Sequence, residues 1–306
     1  MKILVIGGSY FFGRWFVQLA HDRHEVTVLN RGNIAVGLDG VRELKADRHD
    51  AGQLKGLSFK KEEFDVVVDF CAYMPGDISS LIDSLNIAGT GRYIFVSTVD
   101  VYRRGTGQIL TEDSPLEDRM FKGEEGAYIS GKVALETELM RECGHFGIIP
   151  VSVRPAVLYG PGNYAPRENL YIKWVEETGH IIHPEGADGY WQMIYVRDAA
   201  EAVLKLCTLP ADELRKAYNL CDDELITFDT FETALSLAYE SFSDRVPPFG
   251  KHIMSIGDIT AEGMMFPFPL SAAESEHYSG RAFRELGIGT ASLTEGLKGC
   301  IRVLHG

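Results

Sequence analysis

The strongest constraint on this chain is its opening turn. Four apolar residues, Ile3-Leu4-Val5-Ile6, run directly into Gly7-Gly8-Ser9-Tyr10-Phe11-Phe12-Gly13. The apolar run fits a buried strand, and residues 11–21 fit a helix. Strand, glycine turn and helix together open a βαβ unit, where glycines let the backbone approach a phosphate and the helix start supplies amide donors. The motif predicts a pyrophosphate cradle formed by Gly7, Ser9, Tyr10, Phe11 and Phe12. Tyr10 stands where a middle glycine is common, so the same residues also fit a plain strand–helix turn without a ligand. The apolar run is too short for a secretion signal or a membrane span.

Short β-branched runs continue to alternate with helical stretches. Strands are expected at 25–29, 41–46, 65–70, 93–97 and 151–153, and helices at 78–85 and 128–142. This order predicts an α/β chain with a Rossmann-type, doubly wound parallel sheet, which binds ligands beyond the carboxyl ends of its strands. Beyond Pro161, glycine and aromatic residues become frequent and the alternation is expected to lapse. Residues 1–163 are therefore expected to form a nucleotide-binding domain and 164–306 mainly a smaller C-terminal substrate lobe. A helix at 199–207 and a strand at 218–220, within 192–221, are expected to return to the first domain. The polar, glycine-rich run 103–126 predicts a long loop beside the active site.

Charge narrows the classes of partner. The net charge is −14, which repels phosphate backbones and anionic membranes, so neither nucleic acid nor membrane is expected as a partner. The five cysteines, Cys71, Cys143, Cys207, Cys221 and Cys300, are scattered without a CxxC pair. They argue against a disulfide framework and a zinc site, and for a reducing, cytoplasmic compartment. No histidine–carboxylate spacing suggests a metal. His180 and His183 could contact a substrate, although ordinary strand or turn positions suit them better. Trp191, Gln192 and Tyr195 could line a pocket, although packing is the commoner fate of such residues.

The end of strand two bears on the nucleotide. It reads Leu29-Asn30-Arg31-Gly32, with no carboxylate for ribose hydroxyls. Arg31 can pair with a 2′-phosphate, so NADP is favoured and NAD stays open. A solvent-facing turn arginine is the plain alternative. Asp47-Arg48 follows strand three, where a carboxylate could bond the adenine amino group. Cys71 and Ala72 follow strand four, where they would lie beside the cofactor, and Pro155 follows strand six.

Tyr128-Ile129-Ser130-Gly131-Lys132 carries the sharpest chemical signal. Residues four apart share a helix face, so phenol and ammonium can point into one cleft. The ammonium is expected to lower the phenol pKa toward neutrality, fitting Tyr128 to exchange a proton while hydride moves. Lys132 could also bond the nicotinamide ribose. Strand five ends in Ser97-Thr98-Val99-Asp100, and the Thr98 hydroxyl can bond the substrate oxygen that Tyr128 protonates.

Together these residues resemble the extended and atypical short-chain dehydrogenase/reductase superfamily, the NAD(P)-dependent epimerase/dehydratase group, over nearly the whole chain. The segments 7–13 and 30–32, Tyr195-Val196-Arg197-Asp198-Ala199-Ala200, Phe266-Pro267-Phe268-Pro269 and Leu293-Thr294-Glu295-Gly296-Leu297-Lys298 resemble its atypical branch. That branch holds chloroplast stem-loop-binding proteins and bacterial reductases or epimerases. The resemblance implies a triad of Thr98, Tyr128 and Lys132, a hydroxyl or carbonyl substrate such as a sugar or nucleotide sugar, and a possible homodimer through helices 78–85 and 128–142. The superfamily's sugar-nucleotide 4,6-dehydratases place Asp-Glu after the threonine. Here Val99 and Asp100 stand there, which disfavours that elimination. Two other readings stay open: an RNA-binding protein or ribonuclease, as the plant resemblance suggests, and a non-catalytic dinucleotide sensor.

Overall fold

The computed structural model describes residues 1–306 except 58, 60–62, 243–247 and 306. The N-terminal half runs β1 (Lys2–Ile6), α1 (Phe11–Ala20), β2 (Glu25–Asn30), β3 (Arg42–Lys45), α2 (Ala51–Gly56), β4 (Val66–Asp69), α3 (Asp77–Leu85), β5 (Arg92–Val96), α4 (Gly123–Phe146) and β6 (Ile149–Pro155). Then follow β7 (Val157–Tyr159), α5 (Glu168–Thr178), β8 (His180–Glu185), β9 (Met193–Tyr195), α6 (Val196–Thr208), β10 (Ala217–Leu220), α7 (Phe228–Glu240), β11 (Gly250–Ser255), α8 (Ile256–Ala261), α9 (Arg281–Arg284) and α10 (Leu293–His305).

Seven strands form one sheet in the order β10-β6-β5-β4-β1-β2-β3, and every pairing in it is parallel. Strands buried on both faces are apolar at successive positions. In β1 the alternate side chains part as a pleat requires: Ile3 and Val5 join Phe16, Val17 and Val203 on one face. Leu4 and Ile6 join Leu81, Leu135 and Leu139 on the other. The sheet is thus covered by α1 and α6 on one side and by α3 and α4 on the other. The strand order reverses between β1 and β4, which opens a crevice at their carboxyl ends. β10 pairs with β6 at the sheet's edge, so the chain comes back to the sheet after leaving it at Pro155.

A separate aromatic core gathers Tyr171, Trp191, Phe228, Phe231, Phe268, Leu297 and Ile301. Its centre is a stacked pair, Trp191 on Phe268, with ring centroids 4.1 Å apart. After Pro161 helix and strand still follow one another, as α5–β8 and α6–β10, but β8 leads to β9 with no helix between, so the alternation is not clean. The strands form two-stranded parallel pairs, β7 with β9 and β8 with β11. β7 and β9 have three residues each, too few to show a periodicity in sequence. Two elements differ from expectation. Helix α4 begins at Gly123, not 128, with Glu124 and Glu125 in its first turn, where the helix dipole favours acids. The polar run 103–126 therefore ends inside a helix. Helix α2 escapes the pattern because Leu54 is its only buried residue; the side chain of Asp50 caps it, accepting from the amides of Gly52 and Gln53. Among the described residues no helix is long and apolar enough to cross a membrane.

Candidate active site

One cleft of about 930 Å³ crosses the carboxyl ends of the sheet and reaches the aromatic core. Gly7, Ser9, Tyr10, Phe11 and Phe12 line its first end. Gly8 holds φ +88, and a Cβ there would sit 3.0 Å from a Val5 methyl; a Cβ on Gly13 would come within 2.8 Å of the Gly8 backbone. The turn therefore depends on glycine both for its conformation and for the docking of α1. Phe11, the first helical residue, has φ +38. A non-glycine left-handed residue costs on the order of 1–3 kcal/mol, and such strain concentrates at ligand sites. Tyr10, at the position where glycine is common, packs on Tyr164 at 5.4 Å between ring centroids. That contact bridges the glycine turn and the segment before α5.

Asn30 and Arg31 lie beyond β2 and behave differently. Asn30 is committed locally: its Nδ2 donates to Ser9 Oγ at 2.7 Å, and its Oδ1 accepts the Gly32 amide at 2.7 Å. Arg31 is exposed on the cleft, and no ion pair of Arg31 occurs among the described residues. Asp47 lies at the rim and accepts the His49 amide at 2.9 Å. Arg48 is held inside the protein. Its guanidinium bonds both oxygens of Asp69, at 2.9 and 3.0 Å, and donates to the Asp77 carbonyl at 2.9 Å. Cys71 lines the cleft beside this pair, and burial with the neighbouring Asp69 pushes its thiol up to about 11. A thiol held protonated is a poor nucleophile.

At the other end, Thr98, Tyr128, Lys132 and Pro155 line the same cleft. Lys132 is 2% exposed. Its Nζ donates to the carbonyls of Ala72 at 2.9 Å and Val96 at 2.8 Å, which leaves one N–H for a ligand. Ala72 is fully buried and does not line the cleft; its carbonyl contributes by holding the lysine. Burial lowers the Lys132 pKa to about 8. Thr98 Oγ1 donates to Asp100 Oδ2 at 2.9 Å, and Arg104 donates to Asp100 Oδ1 at 2.7 Å.

Tyr128 departs from expectation. Although the residue is 37% exposed, its pKa is raised to about 12, by burial first and then by Asp100; Thr98 and Arg167 pull it down by less. The nearby Lys132 does not bring it toward neutrality. The ammonium lies 5.9 Å from the Tyr128 ring centroid but 4.5 Å from that of Tyr73, and its bonds run to backbone carbonyls.

The C-terminal half adds Tyr164, Arg167, Tyr190, Trp191, Gln192 and Tyr278 to the cleft. Sequence reasoning overlooked Tyr73, Arg104, Tyr164, Arg167 and Tyr278, which have no local spacing to betray them. Gln192 bridges backbone, donating to the Asp222 and Tyr278 carbonyls and accepting the Tyr278 amide. Tyr195 packs on Tyr159 away from the cleft. His180 and His183 also lie outside it. His183 bonds Glu232 at 2.9 Å, and with Asp229 these form the one set among the described residues whose geometry could hold a metal. Lys251 sits 2.7 Å from Glu232, so a cation already neutralises that carboxylate.

Comparison with known proteins places this geometry in context. A family model described as NAD dependent epimerase/dehydratase family matches residues 3–221. The chain is 27% identical over 252 residues to the chloroplast stem-loop binding protein of 41 kDa b from Arabidopsis thaliana, covering 78% of this chain and 63% of that protein. The match thus spans less than two thirds of the plant protein's own length. It is 24% identical over 251 residues to the dTDP-D-glucose 4,6-dehydratase of Mus musculus, covering 72% of this chain and 67% of that one. The structure of the Thermus thermophilus UDP-glucose 4-epimerase in complex with NAD superposes with a TM-score of 0.74 at 19% identity, covering 100% of this chain and 99% of that one.

Proposed function

Because the chain belongs to the NAD dependent epimerase/dehydratase family, we propose that it is an NAD(P)-dependent oxidoreductase or epimerase. It acts on a hydroxyl or carbonyl carbon of a sugar or nucleotide sugar, with Tyr128 as the proton-exchanging group. The observation that carries this is the joining of two devices in one cleft. A glycine cradle lies at one end, and at the other a nearly buried ammonium with one spare N–H lies beside a phenol and a hydroxyl. The cradle fits a pyrophosphate, since no Cβ intrudes at Gly7 or Gly8 and the start of α1 opens onto it. Bound there, the dinucleotide supplies the hydride acceptor or donor. Lys132 would hold the nicotinamide ribose with its remaining N–H. Thr98 would orient the substrate oxygen, and Tyr128 would give it a proton or take one. Elimination needs an acid and a base. The carboxylate nearest Thr98 is Asp100, which is tied to Thr98 and Arg104, so a 4,6-dehydratase reaction is the poorer fit. We take residues 164–306, apart from those that return to the sheet, as the substrate lobe.

The test is a screen of sugar nucleotides, free sugars and carbonyl compounds for NADPH oxidation or epimer formation. Turnover that depends on Tyr128 supports the reading. A protein that binds no dinucleotide overturns it.

Cofactor choice gives an independent expectation. Arg31 is exposed on the cleft, no carboxylate stands at Asn30, and Asn30 is occupied by Ser9 and Gly32. NADPH should therefore bind more tightly than NADH, and Arg31→Ala should erase the difference. A charge-assisted phosphate contact contributes about 1.5–3 kcal/mol, roughly 10- to 100-fold in affinity. Fluorescence titration decides it, and equal affinities in the wild type would reject the assignment.

The likeness to a chloroplast stem-loop binding protein motivates a second reading, RNA binding. With a net charge of −14, the expected result is no specific stem-loop binding near physiological salt. A submicromolar gel shift that survives competition by bulk RNA would promote this reading over the enzymatic one.

A further inference from the structure

The cleft is lined by four arginines and one lysine, and their partners differ. Arg48 is locked on Asp69, and Arg104 lies between Asp100 at 2.7 Å and Glu125 at 3.2 Å. Lys132 faces two carbonyls. Two cations remain without an ion pair among the described residues. One is Arg31, at the cofactor end. The other is Arg167, which is half-buried and lines the cleft with Tyr128, Asn163 and Tyr164. One bond anchors its guanidinium, from Nη1 to the Leu158 carbonyl at 3.3 Å, so most of its donors are uncommitted. Its neighbour Glu168 commits its buried carboxylate to the Gly160 amide and the Asn163 amide group. The charge of Arg167 also reaches Tyr128, whose phenol it helps to lower.

Glu168 lies close enough for its charge to be felt by Arg167, but a guanidinium that faces a cleft with most of its N–H donors free is a site for an anion, because it presents paired donors to carboxylate or phosphate oxygens. We propose that Arg167 is a substrate-binding residue and that the substrate carries one compact anion, a carboxylate or a phosphomonoester, which Arg167 holds beside Tyr128. This rests on the proposed enzymatic reading and narrows its substrate class. A diphosphate fits less well. Among the described residues one cation without an ion pair faces this end of the cleft, with the carboxylates of Asp100, Glu274 and Glu276 around it, and a buried charge without compensation is costly.

The test is calorimetry on the NADPH-saturated protein with D-glucuronate, D-glucose 6-phosphate, D-glucose and UDP as probes. One of the two sugar anions should bind at least 10-fold more tightly than glucose and UDP, and which one binds distinguishes carboxylate from phosphomonoester. Arg167→Gln should cost that anion about 10- to 100-fold in affinity, while Arg167→Lys should retain part of it and NADPH affinity should not move in either variant. The proposal is overturned if neither sugar anion binds, if UDP binds more tightly than both, or if Arg167→Gln leaves the anion's affinity unchanged. In each of those outcomes intact NADPH binding leaves the enzymatic reading standing, whereas loss of dinucleotide binding in the wild type would remove the reading itself.

Discussion

Tyr128→Phe should lower turnover by about 10²–10⁴-fold, the usual contribution of a positioned acid or base, with little change in cofactor affinity. The ring and its packing beside Tyr73 survive the substitution, so the loss would report the hydroxyl alone. Protonation gives the effect a direction. With its pKa pushed up to about 12, the phenol is protonated at neutral pH and ready to donate in carbonyl reduction. In alcohol oxidation it must first ionise, so that direction should accelerate as pH rises. Lys132→Met should impair both turnover and cofactor binding, because it removes the spare N–H and leaves the Ala72 and Val96 carbonyls without their donor. Thr98→Val should lower turnover less than Tyr128→Phe, because the proton donor remains, with Thr98→Ser as its control, since Thr98 Oγ1 also accepts the Asp100 amide at 3.2 Å and caps the short turn at Val99–Val101. Near wild-type turnover in Tyr128→Phe, on any substrate the screen finds, would eliminate the mechanism and favour a binding module on an enzyme scaffold.

The parts of this site that sequence exposes are the local ones. Ile3 to Gly13 is an apolar strand, a glycine turn and a helix within eleven consecutive residues, and Tyr128 and Lys132 are one helical turn apart. Neither needs knowledge of the rest of the chain. The partners of the arginines are different in kind. Arg31 and Arg48 look equivalent in sequence, each just after a strand. What separates them is Asp69, 21 residues beyond Arg48, which draws one arginine into the interior and leaves the other on the cleft. The same applies to Lys132. Its helix face follows from spacing, but its lowered pKa depends on burial and on carbonyls 60 and 36 residues away. The expectation that Lys132 would acidify Tyr128 failed for that reason, since proximity along a helix does not say where an ammonium's bonds go. Arg167 and Tyr164 join the cleft only through the path of the chain after β7, and no periodicity marks that path.

Asp69→Asn should destabilise the protein by about 3 kcal/mol or more, the scale on which loss of one partner leaves a buried charge uncompensated. Asp69 is fully buried at the end of β4. It binds Arg48 through both oxygens, accepts the Tyr93 hydroxyl at 2.7 Å and accepts the Cys71 amide at 3.0 Å. It thereby ties the end of β4 to Arg48 beyond β3 and to Tyr93 of the neighbouring β5, beneath the cleft. Burial alone would raise its pKa, but Arg48, Tyr93 and the Cys71 amide outweigh it and hold the carboxyl below its ordinary value. The sign of the pH dependence follows. A depressed carboxyl contributes stability above its unfolded pKa and loses it as pH falls through the folded value. The gap between wild type and Asp69→Asn should therefore be full at neutral pH and close in acid, below the ordinary carboxylate range. Arg48→Met combined with Asp69→Asn should recover part of the loss, because the double variant removes the orphaned guanidinium that the single variant leaves behind. Urea unfolding at pH 7 and in acid measures all three proteins. If the single variant loses less than about 1 kcal/mol, or if the double variant is less stable than the single by the full cost of removing Arg48, then the ion pair is not what fastens the strand ends beneath the cleft.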